Sequence, residues 1–303
     1  MKKIILSMFM AVVAVVLCIT GCKPEYTVYS GPDYILFSDT LYEIAVVDET
    51  YYNVPIVATR ACDYDRNVAV EIIDTNSNAI EGKHYNLESN TVTIKAGELR
   101  GNLRIKGYHD NIDVTDSLGF KLRLLIPEEV QWDLYGNTAN VLVKKACKFD
   151  INTFVGPCVV SSTYIMEYMN VDKILAYSEV DPNEENTIII KNYFFKGYDV
   201  KIKFEVDDIY NPLIRMDDQR FASTSEAFGT LYGKGYIHVY QPTAYTSYYS
   251  SCEKFILQYM NLYVPGMTPG VNTPTPENTV GTFVNAVEWI SKDEAEKLKR
   301  EGY

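Results

Sequence analysis

The chemistry that the sequence offers most plainly is that of tyrosine side chains. The chain has 25 tyrosines in 303 residues, and eight of them lie between residues 232 and 263. A tyrosine ring presents a flat apolar face and a hydroxyl group, and ordering it costs little conformational entropy. We therefore predict a ligand-binding site for glycan or protein around the loop-like residues 241–244, formed by Tyr240, Tyr245, Tyr248 and Tyr249. The alternative is that these rings cap a barrel end or fill a domain interface.

A second candidate site is an acidic segment in the first half of the chain. Asp110, Asp113 and Asp116 could supply three carboxylates from one loop. Calcium takes about six to eight oxygen ligands, so this spacing predicts a weak calcium site. The alternative is a solvated acidic turn, and no other metal or cofactor is expected.

The usual catalytic motifs are missing from the sequence. No histidines are paired at i,i+4 spacing or placed near a cysteine as zinc ligands would be, the three being His84, His109 and His238. The Gly-x-Ser-x-Gly motif that holds the nucleophile of many hydrolases does not occur. The glycines of residues 229–235 lack the spacing of a phosphate-binding loop, and they are instead typical of a bent strand. Adjacent carboxylates such as Asp217 and Asp218 would serve a glycan-degrading hydrolase only if two were held about 5–10 Å apart. We therefore expect a protein that is not an enzyme, with the hydrolase as a second alternative.

The charge of the chain excludes one class of partner. Lys and Arg number 28 against 40 Asp and Glu, which gives a formal net charge of −12. Such an anion repels DNA, RNA and anionic lipid headgroups. The longest basic cluster, Lys144, Lys145 and Lys148, is too short to form a basic face. No nucleic-acid partner is expected.

The N-terminus predicts a cellular address. Lys2 and Lys3 precede an apolar run over residues 4–19 that is too short to span a bilayer, which is typical of a secretory signal. The run ends in Ile-Thr-Gly-Cys at Cys22, which resembles a bacterial lipobox. The resemblance implies a signal peptide over 1–21, lipidation of Cys22, a tether over 22–33 and attachment to a membrane. The alternative is an ordinary cleaved signal with an incidental cysteine.

The residues after Cys22 add to this address. Lys23-Pro24-Glu25 resembles the surface-export signals of Bacteroidetes lipoproteins. This resemblance implies a lipoprotein of the bacterial outer membrane that is exposed at the cell surface.

Four cysteines remain for an exported chain in which disulfides can persist, and they are Cys62, Cys147, Cys158 and Cys252. Four cysteines allow three pairings. If each half of the chain closes its own bridge, the pairs are Cys62–Cys147 and Cys158–Cys252, and four free buried thiols are the alternative. No Cys-x-x-Cys occurs, which argues against a zinc ribbon or a thioredoxin-type site.

The first half of the chain predicts an antiparallel β-sandwich over residues 34–148. Apolar residues alternate in short runs such as 68–72 and 118–124, and turn-forming residues separate the runs. In order and spacing, residues 79–85, 92–98, 103–105, 110–116 and 120–122 are similar to a Calx-β domain. The resemblance implies a seven-stranded, immunoglobulin-like sandwich, often with calcium bound by acidic residues at one end. Lys83-His84-Tyr85 departs from the family pattern and places a cation there.

The second half, residues 149–303, predicts an antiparallel meander that closes into a barrel. Residues 200–206 alternate between charged and apolar side chains, and further strands are expected over 163–168, 187–191, 213–216, 230–240, 254–264 and 282–289. Closing the meander would remove its exposed edges. Residues 154–156, 200–206, 213–219 and 229–230 resemble lipocalin-like domains of Bacteroidetes lipoproteins. Ser291 and Glu294 form a capping box that opens a short C-terminal helix.

These observations predict an all-β, two-domain chain that resembles a poorly characterised family of Bacteroidetes lipoproteins. The predicted function is that of a lipid-anchored cell-envelope protein that binds glycan or another extracellular ligand without catalysis. The alternative is a structural or adhesion module that contacts another envelope protein.

Overall fold

The computed structural model describes residues 29–48, 50–75 and 77–303, which confirm the predicted all-β fold class. The predicted signal peptide, Cys22 and the tether up to residue 28 lie outside the described residues. No helix in the described ranges is long and apolar enough to cross a membrane. The buried apolar side chains form two clusters, one over residues 35–143 and the other over residues 154–287.

The first cluster lies between two sheets that we call the sandwich. In the described chain it has nine strands, where the Calx-β resemblance implies seven: β1 (Ile35–Phe37), β2 (Leu41–Val46), β3 (Tyr51–Ala58), β4 (Arg66–Ile73), β5 (Tyr85–Leu87), β6 (Thr91–Ile94), β7 (Arg100–Gly107), β8 (Leu118–Leu125) and β9 (Thr138–Lys145). The sheets have the orders β1-β3-β7-β5 and β2-β9-β8-β4-β6. All pairs are antiparallel except β2 with β9, which run parallel.

The two sheets pack closely because apolar residues alternate along their strands. In β7, Gly101, Leu103 and Ile105 face inward and the alternating residues Asn102 and Arg104 are exposed. Tyr85 of β5 stacks on Phe120 of β8 across the core, with ring centroids 3.8 Å apart. A Cβ added at Gly101 would lie 2.6 Å from the Val92 side chain, so this close approach requires glycine.

The second cluster lies inside one curled antiparallel sheet that we call the barrel. Its strands in the described chain are β10 (Gly156–Ser162), β11 (Ile174–Val180), β12 (Thr187–Lys191), β13 (Val200–Phe204), β14 (Ile214–Arg215), β15 (Gln219–Ser223), β16 (Tyr236–Tyr240), β17 (Tyr248–Ser250), β18 (Phe255–Tyr263) and β19 (Thr279–Trp289). Strands pair in chain order from β10 to β14, and β15, β16, β18 and β19 continue the meander. The last strand, β19, pairs with the first, β10.

A side chain joins the remaining gap, between β13 and β15. Lys201 N donates to Gln219 Oε1 at 2.9 Å, and Gln219 Nε2 donates to Lys201 O at 3.0 Å. The amide thus replaces the pair of backbone hydrogen bonds that a neighbouring strand would form. The antiparallel meander agrees with the sequence, and the resemblance to lipocalin-like domains stays a prediction.

Aromatic side chains fill the inside of the barrel. Phe154, Tyr164, Phe204 and Phe221 are each at most 1% exposed. Phe154 and Phe204 have ring centroids 4.6 Å apart, and Tyr164 meets Phe221 edge-on at 5.3 Å. Since these rings pack against one another, the outer surfaces of the barrel are the places to look for a ligand site.

Short helices connect and end the strands. Helix α1 (Thr224–Phe228) follows β15, and helix α2 (Lys292–Glu301) ends the chain. Glu294 N donates to Ser291 Oγ and Ser291 N donates to the Glu294 carboxylate, which confirms the predicted capping box. Single 3-10 turns cover His109–Asn111, Glu128–Val130 and Ile151–Phe154.

Two segments differ from the sequence-based expectation. The sequence predicts a strand over residues 163–168, but a π-helical turn covers Ile165–Met169. Tyr164 and Ile165 are adjacent and both fully buried, and the helical turn lets both side chains pack against the barrel core. Residues 229–235 form a turn rather than a bent strand, and Gly229 and Gly233 have positive φ angles of 75° and 50°.

A disulfide joins the sandwich to the barrel. Cys147, just after β9, bonds to Cys252, between β17 and β18, with Cα atoms 5.3 Å apart. The expected pairs Cys62–Cys147 and Cys158–Cys252 are therefore wrong, and Cys62 and Cys158 are free. Cys158 points into the barrel core, so its thiol cannot reach the turn that holds Cys252. Burial there also raises the pKa of the Cys158 thiol to about 12.

Candidate ligand-binding site

The candidate site is built on β18, the strand that two others pair with along the same edge. Tyr240 of β16 pairs with Asn261, and Tyr248 of β17 pairs with Leu257, so β16 and β17 lie end to end along β18. The loop of residues 241–247 separates them. Its conformation is fixed by hydrogen bonds from Tyr259 N to Ser247 Oγ at 2.9 Å and from Met216 N to Gln241 Oε1 at 3.0 Å.

Alternation along these strands puts aromatic rings on the outside of the barrel. Ile256, Gln258 and Met260 of β18 point inward and are fully buried. The residues that alternate with these three point outward, and their partners on β16 and β17, such as Tyr240 and Tyr248, point outward with them. We call the rings on this side of β16, β17, β18 and the intervening loop the aromatic face, in which only Tyr263 is covered by its neighbours, at 2% exposed; the face consists of Tyr236, His238, Tyr240, Tyr245, Tyr248, Phe255, Tyr259 and Tyr263.

The most open ring of the aromatic face is Tyr245, which is 51% exposed. It stacks on Tyr259 with ring centroids 4.9 Å apart and an angle of 14° between the planes. Tyr248 meets Phe255 edge-on at 6.0 Å at one end of the face, and Tyr240 meets Tyr263 edge-on at 5.7 Å at the other. The stack leaves one side of the Tyr245 ring free and holds the ring in place from the other side.

Polar groups lie between these rings. Asn261 Nδ2 donates to the Tyr240 hydroxyl at 3.0 Å, and Asn261 Oδ1 has no hydrogen-bond partner among the described residues. The Asp218 carboxylate accepts a hydrogen bond from the Tyr263 hydroxyl and pairs with His238 Nδ1. Burial, followed by the Asp218 hydrogen bond, raises the pKa of Tyr263, so this hydroxyl stays protonated as a donor.

Three of the four tyrosines predicted from the sequence lie on the aromatic face, namely Tyr240, Tyr245 and Tyr248. Tyr249 does not, because it pairs with Ile256 and points inward. It is 5% exposed, and its nearest ring contact is Phe204, with centroids 5.0 Å apart. The predicted ligand-binding role of Tyr249 is therefore corrected to a place in the barrel core, where burial raises its pKa.

Sequence reasoning missed Tyr236, Tyr259 and the pair His238–Asp218. The signal for Tyr259 is present in the sequence, because residues 255, 257, 259, 261 and 263 share one face of the strand predicted over 254–264. The partnership of His238 with Asp218 depends on the pairing of β15 with β16, which the sequence does not reveal.

The acidic residues of the predicted calcium site lie in one turn, but they do not converge. Asp116 Oδ2 accepts from Asp113 N at 2.8 Å, and Asp113 Oδ1 accepts from Thr115 N at 3.1 Å and from Thr115 Oγ1 at 3.0 Å. The Thr115 donors lower the pKa of Asp113. The Asp110 side chain is 99% exposed, and the described residues hold no group of three or more His, Cys, Asp or Glu placed for a metal. This arrangement does not fit the calcium site that the sequence predicts, because the carboxylates already satisfy the turn.

A groove lies beside the aromatic face, where the sandwich meets the barrel. This junction groove has a volume of about 710 Å³. Val114 and Lys145 line it from the sandwich, and Ile209 and Tyr248 line it from the barrel, together with Phe149, which lies between β9 and β10 and packs on the barrel core. The disulfide Cys147–Cys252 is part of its wall.

The described residues form an all-β fold, and comparison with sequence families identifies the family of the chain. The chain belongs to the family described as Domain of unknown function (DUF4984), whose model matches residues 134–301. The match begins before β9 and ends in α2, so it covers the whole barrel. No curated protein sequence matches the chain.

Several solved structures to which this chain is similar come from Bacteroides. A Bacteroides thetaiotaomicron protein described as an auxiliary nutrient binding protein is 15% identical over 82% of this chain and 91% of its own, with a TM-score of 0.31. A Bacteroides ovatus protein provisionally described as carbohydrate binding is 11% identical over 83% of this chain and 74% of its own, with a TM-score of 0.30. The structure of CBD12 from CALX1.2 is 10% identical over 78% of this chain and 82% of its own, with a TM-score of 0.33. Similarities at this level carry no functional argument on their own.

Proposed function

We propose that this protein binds glycans through the aromatic face and does so without catalysis. The observation that carries the proposal is the stack of Tyr245 on Tyr259, which holds a half-exposed ring flat against the barrel. A sugar ring has an apolar side of C–H groups, which matches the free side of Tyr245. Because the ring is already held by Tyr259, binding loses little side-chain entropy.

The polar groups around the stack suit the hydroxyls of a sugar. Asn261 Oδ1 is an acceptor without a partner among the described residues, and the Tyr240 hydroxyl already accepts from Asn261 Nδ2 and can still donate. His238 uses Nδ1 for Asp218, which directs its other ring nitrogen away from that carboxylate. Together these groups offer donors and acceptors next to an apolar platform, as binding sites for small polar ligands require.

Two carboxylates that a hydrolase could use, Asp208 and Asp217, are engaged by near neighbours in the chain, and Asp218 is held by His238 and Tyr263, which supports a binding role. Asp208 accepts from Tyr210 N at 2.9 Å and from Asn211 Nδ2 at 2.7 Å. Asp217 pairs with Arg215 at 3.1 Å. Hydrolysis of a glycosidic bond calls for two carboxyl groups that face each other across the substrate.

The proposal includes the cellular address predicted from the sequence. The protein is anchored by lipid on Cys22 to the bacterial outer membrane, and the barrel presents the aromatic face to external glycans. Cys22→Ser is expected to shift the protein from the membrane fraction to the soluble fraction after export. Retention of the variant in the membrane fraction would contradict lipid anchoring.

The binding proposal is tested by affinity electrophoresis of the protein against a panel of plant and host glycans. We expect retardation by at least one glycan, and Tyr245→Ala is expected to weaken that binding about tenfold, as loss of a central aromatic contact does. The matched control is Tyr64→Ala, which removes a tyrosine that is 60% exposed on the sandwich and lies off the aromatic face. If no glycan retards the protein, the glycan proposal fails, and a search for an envelope-protein partner takes its place.

A further inference from the structure

The aromatic face and the junction groove share two side chains. Tyr248 and Phe255 are the last rings of the face, and both also line the groove. From Tyr248 the chain passes through Ser250 and Ser251 to Cys252, which form part of the groove wall. A ligand that lies along β18 past Tyr245 and Tyr248 therefore continues directly into the groove, because the same two rings belong to both surfaces.

The length of this surface exceeds that of a small ligand. Strand β18 has nine residues. At about 3.4 Å per residue the strand extends roughly 30 Å, and the groove continues beyond its first residue. A surface of this length suits several consecutive units of a polymer.

Like the aromatic face, the junction groove combines apolar side chains with a polar group that has no hydrogen-bond partner among the described residues. Val114, Phe149 and Ile209 give it apolar walls, and Ser251 Oγ is buried without a hydrogen-bond partner among the described residues. An unpartnered hydroxyl of this kind can exchange a hydrogen bond with a ligand hydroxyl.

The charges around the groove argue for a neutral ligand. Lys148, which lines the groove, is paired with Asp48, and the groove is also lined by Lys145 and Glu253, which have opposite charges, so neither sign prevails. The chain as a whole carries a formal net charge of −12, which opposes the approach of a polyanion.

The groove is also held in a fixed shape. The disulfide Cys147–Cys252 joins its two sides. The Tyr210 hydroxyl, from the connection that follows β13, donates to Glu43 O at 3.2 Å on edge strand β2 of the sandwich. Binding to a groove that is already ordered loses less conformational entropy than binding to one that must become ordered around the ligand.

We infer that the glycan site spans the barrel and the sandwich, and that the junction groove binds the continuing units of an extended, neutral polysaccharide. This inference rests on the proposed function, because the groove receives a chain that the aromatic face already holds. The sandwich thereby contributes directly to recognition through Val114 and its neighbours.

The test compares disaccharides with longer oligosaccharides of the same neutral glycan, taken from cellulose, xylan, mannan and starch. Calorimetry on the unaltered protein is expected to show about tenfold tighter binding of the longer chains. Val114→Trp on the sandwich side and Ile209→Trp on the barrel side fill the groove, and each is expected to remove this gain while leaving disaccharide affinity unchanged. Both residues are exposed, at 37% and 41%, so the folded state tolerates the larger side chain, which circular dichroism melting checks.

The matched control is Val171→Trp, at a valine that is 39% exposed in the connection between β10 and β11 and does not line the groove. It is expected to keep the full gain with chain length. Equal affinity for short and long chains, or a gain that survives both groove variants, overturns the groove inference and leaves glycan binding by the aromatic face intact. Equal loss for short and long chains in the groove variants also overturns it, because the groove would then not be a separate part of the site. Absence of any binding defeats the proposed function itself, and this inference with it.

Discussion

Tyr248 and Tyr249 are neighbours in the chain, yet they lie on opposite sides of the barrel sheet. Tyr249 is enclosed by Phe149, Phe154 and Phe204, whereas Tyr248 lies outside, beside Phe255. Inside, a ring that leaves water contributes packing free energy to the fold. Outside, a ring keeps its access to solvent, contributes little to stability and stays available to a ligand. The side of the sheet, rather than the type of residue, separates the two roles.

The largest expected effect tests this comparison at the two adjacent positions. Tyr249→Ala is expected to lower the free energy of unfolding by about 3–5 kcal/mol, because it leaves a cavity among packed rings. Tyr248→Ala is expected to lower it by less than about 1 kcal/mol, as exposed substitutions usually do. Urea unfolding followed by circular dichroism measures both.

Tyr248→Phe serves as the control for loss of the hydroxyl alone, and it is expected to leave stability unchanged. Equal losses of stability in Tyr248→Ala and Tyr249→Ala would break the comparison between the two sides of the sheet. Glycan affinity should show the opposite order. Tyr248→Ala is expected to weaken glycan binding, whereas the folded fraction of Tyr249→Ala is expected to bind glycan as the unaltered protein does.

The sequence predicts those parts of the fold that depend on local alternation and capping. The strand Val200–Phe204 and the capping box of Ser291 and Glu294 are of this kind, because near neighbours decide both. Which of Tyr248 and Tyr249 faces outward is different, since it depends on how the loop of residues 241–247 sets the register of β17 on β18.

Long-range contacts explain the remaining differences between sequence and structure. The bond between Cys147 and Cys252 joins residues 105 positions apart, and the number of cysteines alone cannot select this pair. The Asp218–His238 pair and the shared lining of the junction groove arise in the same way, from the pairing of strands and the docking of the sandwich on the barrel.

A smaller effect is expected at the junction, which links the outer side of the barrel to the sandwich. Replacing Cys147 and Cys252 by serine together is expected to lower the free energy of unfolding by about 2–4 kcal/mol, because the bridge restricts a long loop of the unfolded chain. The same change should weaken binding of long oligosaccharides and leave disaccharide binding alone, since it loosens the groove but not the stack of Tyr245 on Tyr259. Unfolding in urea with and without a thiol reductant provides the measurement.

The double serine variant should no longer respond to the reductant. Cys158→Ser is a useful comparison, because it removes a free thiol inside the barrel and leaves the junction as it is. Unchanged stability of the unaltered protein after full reduction would show that the bridge does not hold the sandwich and barrel together.

The smallest expected effect concerns the acidic turn that contains Val114. The carboxylates of this turn differ from the polar groups of the aromatic face in their hydrogen-bond partners. On the face Asn261 Oδ1 is buried and has no hydrogen-bond partner among the described residues, whereas Asp113 and Asp116 already accept hydrogen bonds from their own turn. A calcium ion would have to displace those donors, so calcium is expected to leave Tm unchanged relative to a chelator. Saturation of a real site at one hundred times its Kd would add about 2.7 kcal/mol and raise Tm measurably. A rise of that kind, abolished by Asp113→Asn, would restore the calcium site that the acidic spacing predicts and would place a second ligand site at the edge of the junction groove.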